Sequence, residues 1–139
     1  MLVRFLQQQV ILAANSRPAL NDVTYSELQI ITEKVAAICP VIKQAVEEKR
    51  LVIMESGTFS PCLDLRRVDA DLVKKCADAD LVILEGMGRT IHTNYDALFI
   101  CESLKMAVIK NKWLAKRLNG EMYSVVFRYK PGVNSPARQ

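Results

Sequence analysis

The sequence has the length and composition of one globular domain. It has 139 residues, of which 50% are hydrophobic and 24% are charged, so it can bury a sizeable core. No apolar run approaches the roughly 18 residues of a membrane-spanning helix, and the apolar part of the opening residues is too short for a signal peptide. These features argue against a membrane protein, and we expect no membrane partner.

The positive charge is concentrated in the last part of the chain. The formal net charge is +4, and residues 101–139 carry 8 basic and only 2 acidic side chains. Such an excess suits a nucleic acid, an anionic membrane or a phosphorylated small molecule. Aromatic and basic side chains are not interleaved as on a nucleic-acid platform. We therefore expect a small phosphorylated ligand or plain solvation, and no nucleic-acid partner.

The four cysteines predict reduced thiols. Cys39, Cys62, Cys76 and Cys101 form no Cys-x-x-Cys pair, and a single histidine cannot complete a zinc site of the usual kind. Reduced thiols are typical of the cytoplasm, which is the predicted location.

The first half of the chain alternates helical and strand patterns. The opening MLVRFLQQQ has helical spacing but no N-cap, and residues 10–15 form a continuous apolar run of strand length. A helix is predicted over residues 21–39, capped by Asp22 or Thr24 and ended by Pro40. Residues 41–50 predict a second short helix, and residues 51–56 a second buried strand.

The second half continues the alternation after a loop over residues 57–65. A short helix is predicted over 69–80, a strand over 81–85 and a helix over 94–100 with Asn94 as its cap. Residues 104–111 favour a strand, with a helix as the alternative. A helix over 112–120 ends on Gly120 in a left-handed conformation, and residues 121–130 form a last strand. The predicted fold class is α/β, with a mostly parallel, Rossmann-like sheet that has helices on both faces.

Polar residues follow the first and the third predicted strands. In such a sheet, ligands bind beyond the carboxyl ends of the strands. Asn15 and Ser16 come at the end of the first strand, and the stretch after the third begins with EGMGR and contains the only histidine, His92. We therefore expect both clusters to lie at one rim of the sheet.

The EGMGR stretch has a functional and an ordinary explanation. Its two glycines let backbone N–H groups approach an anion, and Arg89 can fork onto phosphate oxygens. The same letters suit a tight turn at a strand end. His92 is likewise either a general acid or a hydrogen-bonded loop residue.

Asp22 and Lys105 also have two explanations each. Asp22 is either a helix cap or a metal ligand, and one carboxylate needs partners such as Glu85 or Glu102 to hold a divalent cation. Lys105 is either a solvated residue at a strand end or a point charge that neutralises a phosphate.

Several motifs in the same order resemble one known family. The stretches ILAANSRPALNDVTYSE, SPCLDL, EGMGRTIHTNYDAL and CESLKMAVIKNKWLAKRL resemble the carboxyl-terminal half of the metal-dependent damage-control phosphatase domain of pantothenate kinase 4-type proteins and their plant relatives. The resemblance implies an α/β domain with a divalent metal (manganese, cobalt or nickel) and no organic cofactor. It also implies hydrolysis of phosphate monoesters, in particular 4′-phosphopantetheine and its oxidised forms, in coenzyme A metabolite damage control.

The resemblance assigns roles to individual residues. Asp22 matches the metal-binding aspartate, and Lys105 matches a lysine that contacts the substrate phosphate, so both are expected to be catalytic. Asn15 and Ser16 fall where the phosphate pocket would be. The substrate-side motif is matched by Glu85, Gly86, Met87, Gly88 and Arg89.

One part of the family pattern is missing. The family also holds its metal with an adjacent Asp-Asn pair upstream of the first strand, and this chain has no such pair. We therefore expect residues 1–130 to be the carboxyl-terminal part of a phosphatase domain, in a truncated and inactive form, followed by a disordered tail over 131–139. A truncated sheet would expose apolar surface for an oligomer or a partner to cover. The alternative is a non-catalytic module that binds a phosphorylated metabolite or a protein partner.

Overall fold

The computed structural model describes residues 9–133, which divide into two compact units. The first unit comprises the residues up to Pro61 together with Leu65–Lys75, and the second comprises Cys62–Asp64 and the residues from Cys76 onward. The predicted end of a helix in the opening residues lies almost wholly outside the described residues. Within residues 9–133, no helix is long and apolar enough to cross a membrane.

The first unit combines two parallel strands with three helices. Strands β1 (Val10–Ala14) and β2 (Leu51–Glu55) pair from end to end, and the helices are α1 (Tyr25–Ile38), α2 (Pro40–Glu47) and α3 (Ala70–Lys75). A single 3₁₀ turn spans Leu65–Arg67. The proline at the start of α2 needs no N–H partner there, which suits the first turn of a helix.

The second unit contains a three-stranded sheet. Its strands are β3 (Leu81–Glu85), β4 (Glu102–Val108) and β5 (Val125–Lys130), with β3 parallel and β5 antiparallel to the central β4. A π-helix, Gly88–His92, follows β3, and α4, Lys112–Arg117, follows β4. The core is formed by Ile91, Ala107, Ile109, Leu114 and Ala115.

These elements confirm the predicted α/β class with parallel strands. The residues that could have been a strand or a helix form β4. The strands are hydrogen-bonded in two groups, one in each unit, and β5 is antiparallel to its neighbour. One face of the second sheet carries exposed apolar side chains, contrary to the expectation of helices on both faces: Leu81, Ile83, Val108, Val125, Phe127 and Tyr129.

The helix predicted over 94–100 is absent, and so is the predicted Asn94 cap. In a helix, the backbone carbonyls would accept hydrogen bonds from N–H groups four residues later. Here the Tyr95 and Ala97 carbonyl oxygens instead accept from Lys105 Nζ, at 3.0 and 2.6 Å. The Asn94 side chain donates to the Leu63 and Arg89 carbonyls. Contacts with other segments therefore override the helical spacing.

The left-handed residue after α4 is Asn119, with φ 52°, and not Gly120 as predicted. The Gly120 N–H donates to the Ala115 carbonyl and the Asn119 N–H to the Lys116 carbonyl, at 2.9 and 3.3 Å. These two bonds form a Schellman motif, in which asparagine is tolerated at the left-handed position.

The chain packs beyond the predicted boundary at residue 130. Gly132 is buried, and a Cβ atom there would lie 2.2 Å from the Ile100 carbonyl oxygen. The Val133 N–H donates to the Phe99 carbonyl oxygen at 3.0 Å. The rest of the predicted tail, residues 134–139, lies outside the described residues.

Candidate functional site

Asn15 and Ser16 are fixed by the loop that follows β2. Asn15 is buried, its Oδ1 accepts from the Thr58 hydroxyl at 2.9 Å, and its Nδ2 donates to the Ser60 carbonyl at 3.4 Å. Ser16 Oγ accepts from the Gly57 N–H at 3.0 Å. Both polar groups of the Asn15 amide therefore hold the loop, whereas the Ser16 hydroxyl still carries a proton that it can donate.

Asp22 is not the cap of the helix that follows it. Thr24 Oγ1 accepts from the Glu27 N–H at 3.3 Å, and the Glu27 carboxylate accepts from the Thr24 N–H at 2.8 Å, which makes a complete capping box. The structural role that the sequence offered for Asp22 thus belongs to Thr24. Asp22 is half-buried and lines a cavity of about 430 Å³.

The described residues do not supply the donor set of a metal site around Asp22. The other carboxylate that lines its cavity, Glu27, is engaged in the capping box. Within residues 9–133, no group of three or more His, Cys, Asp or Glu side chains could hold a metal ion. A hard divalent cation takes six or more oxygen ligands, so Asp22 alone does not hold one.

The EGMGR stretch forms a glycine turn that leads directly into the π-helix. Gly86 has φ 108°, a backbone conformation that side-chain-bearing residues rarely adopt, and its N–H donates to the Met106 carbonyl at 3.0 Å. Arg89 Nη1 lies 3.4 Å from the position that a Gly86 Cβ would occupy. The arginine therefore folds back over the bare glycine, which places a guanidinium beside the turn.

The π-helix is held at both ends by polar side chains. Thr90 is fully buried and donates from both its N–H and its hydroxyl to the Gly86 carbonyl. Thr93 Oγ1 donates to the Gly88 carbonyl at 2.9 Å, and Asn94 Nδ2 donates to the Arg89 carbonyl at 2.8 Å. Short π-helical segments occur frequently at functional sites. Thr90 and Asn94 were missed by the sequence reasoning, although Asn94 was noted as a cap.

Two residues of the EGMGR stretch have unlike surroundings. Met87 packs against the hydrophobic core of the second unit, so its side chain has a packing role. Glu85 is exposed at the end of β3, in register with Met106. Lys105 is in register with Leu84 and therefore lies on the opposite face of the sheet from Glu85. The structure does not bring this acid and this lysine together.

Lys105 is neither solvated nor at a strand end. The residue is fully buried in the middle of β4, and its ammonium group donates to the Tyr95 and Ala97 carbonyls. Burial is the main cause that lowers the pKa of Lys105 below its ordinary value, the positive charge of Arg128 adds to it, and the Asp96 carboxylate opposes it. An ammonium has three N–H donors, so these two bonds leave a third.

Arg128 completes this cluster and was missed by the sequence reasoning. It is in register with Lys105, and its Nη1 donates to the Tyr95 carbonyl and the Asp96 carboxylate, at 3.1 Å each. Its guanidinium carbon lies 4.1 Å from the centroid of the Tyr95 ring. The two cations together fix the segment after the π-helix. The basic last third of the sequence was the only available signal for this role.

The comparisons with known proteins agree on one family. The model of the damage-control phosphatase ARMT1-like domain matches residues 1–126. The chain is 42% identical to a 4′-phosphopantetheine phosphatase from Mus musculus, covering 90% of this chain and 21% of the relative. It is 43% identical to a damage-control phosphatase from Arabidopsis thaliana, covering 87% of this chain and 33% of the relative. It is also 43% identical to a pantothenate kinase 2 from Arabidopsis thaliana, covering 88% and 16%.

A solved structure shows the same fold. A DUF89 family protein from Pyrococcus horikoshii aligns with a TM-score of 0.61 at 21% identity, covering 86% of this chain and 36% of that protein. The chain thus spans roughly a third or less of the length of each of these relatives. The chain belongs to the damage-control phosphatase ARMT1-like domain family.

Proposed function

We propose that this chain is part of a metal-dependent phosphatase that hydrolyses phosphate monoesters, with 4′-phosphopantetheine or one of its oxidised forms as the substrate. The observation that carries the proposal is the family match over residues 1–126, which contains every predicted site residue. The mouse relative is a 4′-phosphopantetheine phosphatase, which supports the choice of substrate. A cytoplasmic location and a role in coenzyme A metabolite damage control belong to the same proposal.

Arg89 is the proposed phosphate ligand of the second unit. A guanidinium can donate two parallel hydrogen bonds to a phosphate group, and Gly86 leaves room for it because no Cβ stands below Arg89. Gly88 is the first residue of the π-helix. Lys105 is proposed to contact the substrate phosphate, and its bonds to the Tyr95 and Ala97 carbonyls fix the segment after the π-helix. Glu85 is proposed to lie on the substrate side of the same motif.

Asp22 is the proposed metal ligand of the first unit, with manganese, cobalt or nickel as the metal and no organic cofactor. Its half-buried position beside a cavity supports this role, and the cap of the helix that follows is Thr24. No catalytic step follows from Asp22 alone, because the described residues do not complete the donor set. Ser16 and Asn15 are proposed to shape a phosphate pocket. The Ser16 hydroxyl would donate a hydrogen bond to the phosphate, and Asn15 holds the loop in place.

The test is phosphate release from 4′-phosphopantetheine with manganese or cobalt, and with a chelator as the blank. We expect metal-dependent release from the protein of which this chain is part, and release at the level of the blank from its Asp22→Asn variant. Asn21→Ala is the matched control, because Asn21 lines the same cavity next to Asp22 and is exposed. Full release by Asp22→Asn would show that the metal-ligand assignment is wrong.

A second candidate function is a non-catalytic module that binds a phosphorylated metabolite or a protein partner. It is favoured by the lack of a metal-binding cluster among residues 9–133. This candidate predicts that 4′-phosphopantetheine binds in a calorimetric titration while no phosphate is released at any metal concentration. The exposed apolar face of the second sheet supports the further proposal that an oligomer or a partner covers it.

A further inference from the structure

A cavity of about 530 Å³ lies in the second unit, and none of the residues proposed above for the phosphatase reaction lines it. Its walls come from the end of the π-helix, the segment after it, and α4. Five side chains give the cavity its chemical character: His92, Tyr95, Asp96, Trp113 and Arg117. This combination of aromatic and cationic groups has no part in the proposed phosphatase chemistry.

The aromatic wall is formed by the only tryptophan in the chain. Trp113 is 63% exposed, which is unusual for so large an apolar side chain. Arg117 lies one helical turn later, and its guanidinium carbon is 5.3 Å from the centroid of the Trp113 ring. A guanidinium held beside an aromatic ring keeps N–H groups that can donate to an anion. The pair therefore offers a ring surface and a hydrogen-bond donor side by side.

The charge of the cavity favours an anion. The one acidic side chain in its wall, Asp96, is paired with Arg128 at 3.1 Å. Arg117 and His92 remain, and within residues 9–133 neither side chain makes a hydrogen bond or ion pair. Both can donate hydrogen bonds to an anionic oxygen. A ligand that fits would combine a planar ring with a negative group.

We propose that this cavity binds a planar aromatic phosphate, of the chemical class of a purine nucleoside monophosphate. The ring stacks on Trp113, and the phosphate accepts hydrogen bonds from Arg117 and His92. The site does not rest on the phosphatase proposal, because it uses no metal and none of the residues proposed for that reaction. The volume of the cavity is within the range that is usual for small-ligand sites.

The single tryptophan makes the proposal directly measurable. The full chain is titrated with adenosine monophosphate in the presence of a chelator, so that no metal-dependent turnover interferes, and Trp113 fluorescence is recorded. Free N-acetyltryptophanamide corrects for absorption by the nucleotide. We expect saturable quenching. Because a hydrogen bond to a charged group contributes about 1.5–3 kcal/mol, Arg117→Gln should weaken the apparent affinity by about tenfold or more.

Lys116→Gln is the matched control. Lys116 is an exposed cation in the same helix turn and does not line the cavity, so its removal changes the net charge equally. We expect it to leave the affinity within about twofold of the parent chain. Equal weakening by both variants, or no saturation, would overturn the proposal. Equal affinity for adenosine, or for inorganic phosphate in competition, would also overturn it, because the ring and the anion must act together.

Discussion

Replacing Lys105 by methionine tests the cluster that fixes the segment after the π-helix. The change removes the donor of the Tyr95 and Ala97 carbonyls, at 3.0 and 2.6 Å. The Tyr95 carbonyl keeps a donor, because Arg128 Nη1 lies 3.1 Å from it. The Ala97 carbonyl loses its side-chain partner. A fully buried carbonyl without a donor costs about 1–3 kcal/mol; the Ala97 carbonyl is partly buried, and the loss of a desolvated charge offsets part of the cost. We expect the free energy of unfolding to fall by about 1–2 kcal/mol.

Urea unfolding followed by Trp113 fluorescence measures this change, because the tryptophan lies in the same unit as Lys105. Ser103→Ala is the matched control. Ser103 is buried on the same face of β4, and its hydroxyl has no hydrogen-bond partner among the described residues. Its removal should therefore leave stability unchanged or raise it by about 1 kcal/mol. A Lys105→Met chain as stable as its parent would refute the reasoning from the carbonyl bonds.

A double-mutant cycle with Arg128→Met isolates the shared carbonyl. In either single variant the Tyr95 carbonyl keeps one donor, and in the double variant it keeps neither. The double variant should therefore lose about 1 kcal/mol more than the sum of the single losses. Losses that add within about 0.3–0.5 kcal/mol would show that the two cations do not share this acceptor.

Three further predictions concern stability. Burial lowers the pKa of Lys105, so the unfolded chain binds this proton more tightly than the folded chain does. The stability of the parent relative to Lys105→Met should therefore rise as the pH approaches 10.5. Urea midpoints of both chains at neutral and alkaline pH measure this difference, and a difference that falls with pH would contradict the prediction. Thr24→Ala should lower the free energy of unfolding by about 1 kcal/mol, whereas Asp22→Ala should not, because Thr24 is the helix cap. Equal losses of stability in thermal unfolding would show that Asp22 also caps the helix. Gly132→Ala should destabilise the chain, because its Cβ would meet a carbonyl oxygen at 2.2 Å. Gly120→Ala is the control, because its Cβ would meet nothing closer than 3.4 Å. Equal thermal midpoints of the two variants would refute the packing of the chain past residue 130.

The parts of the fold that follow from local patterns were predictable. Apolar runs identified β1, β2 and β3 and favoured a strand where β4 lies, and Thr24 was one of the two caps that the sequence offered for α1. Local patterns failed where distant groups compete. The helical spacing of residues 94–100 gave no sign that Lys105 donates to the Ala97 carbonyl or that the Asn94 side chain donates to the Arg89 carbonyl. Such contacts depend on the tertiary structure and have no local signature.

The candidate site was likewise predictable only where local sequence patterns determine its structure. The glycine turn was readable, because EGMGR places two glycines and an arginine directly after an apolar strand, and Gly86 does adopt a positive φ. The π-helical continuation was not readable, since it depends on Thr90 and Asn94 binding carbonyls four and five residues earlier. Arg128 was not readable either, because its position opposite Lys105 follows from strand register and not from sequence spacing.

The alternation along β4 runs opposite to what its composition predicts. Leu104, Met106 and Val108 share one face, and hydrophobic patterning would place that face in the core. The structure instead buries the face that carries Ser103, Lys105 and their neighbour Ala107, and leaves Val108 40% exposed. The buried face is tolerated because two carbonyls hold the lysine. The apolar face has no such compensation among the described residues, which supports the proposal that an oligomer or a partner covers it.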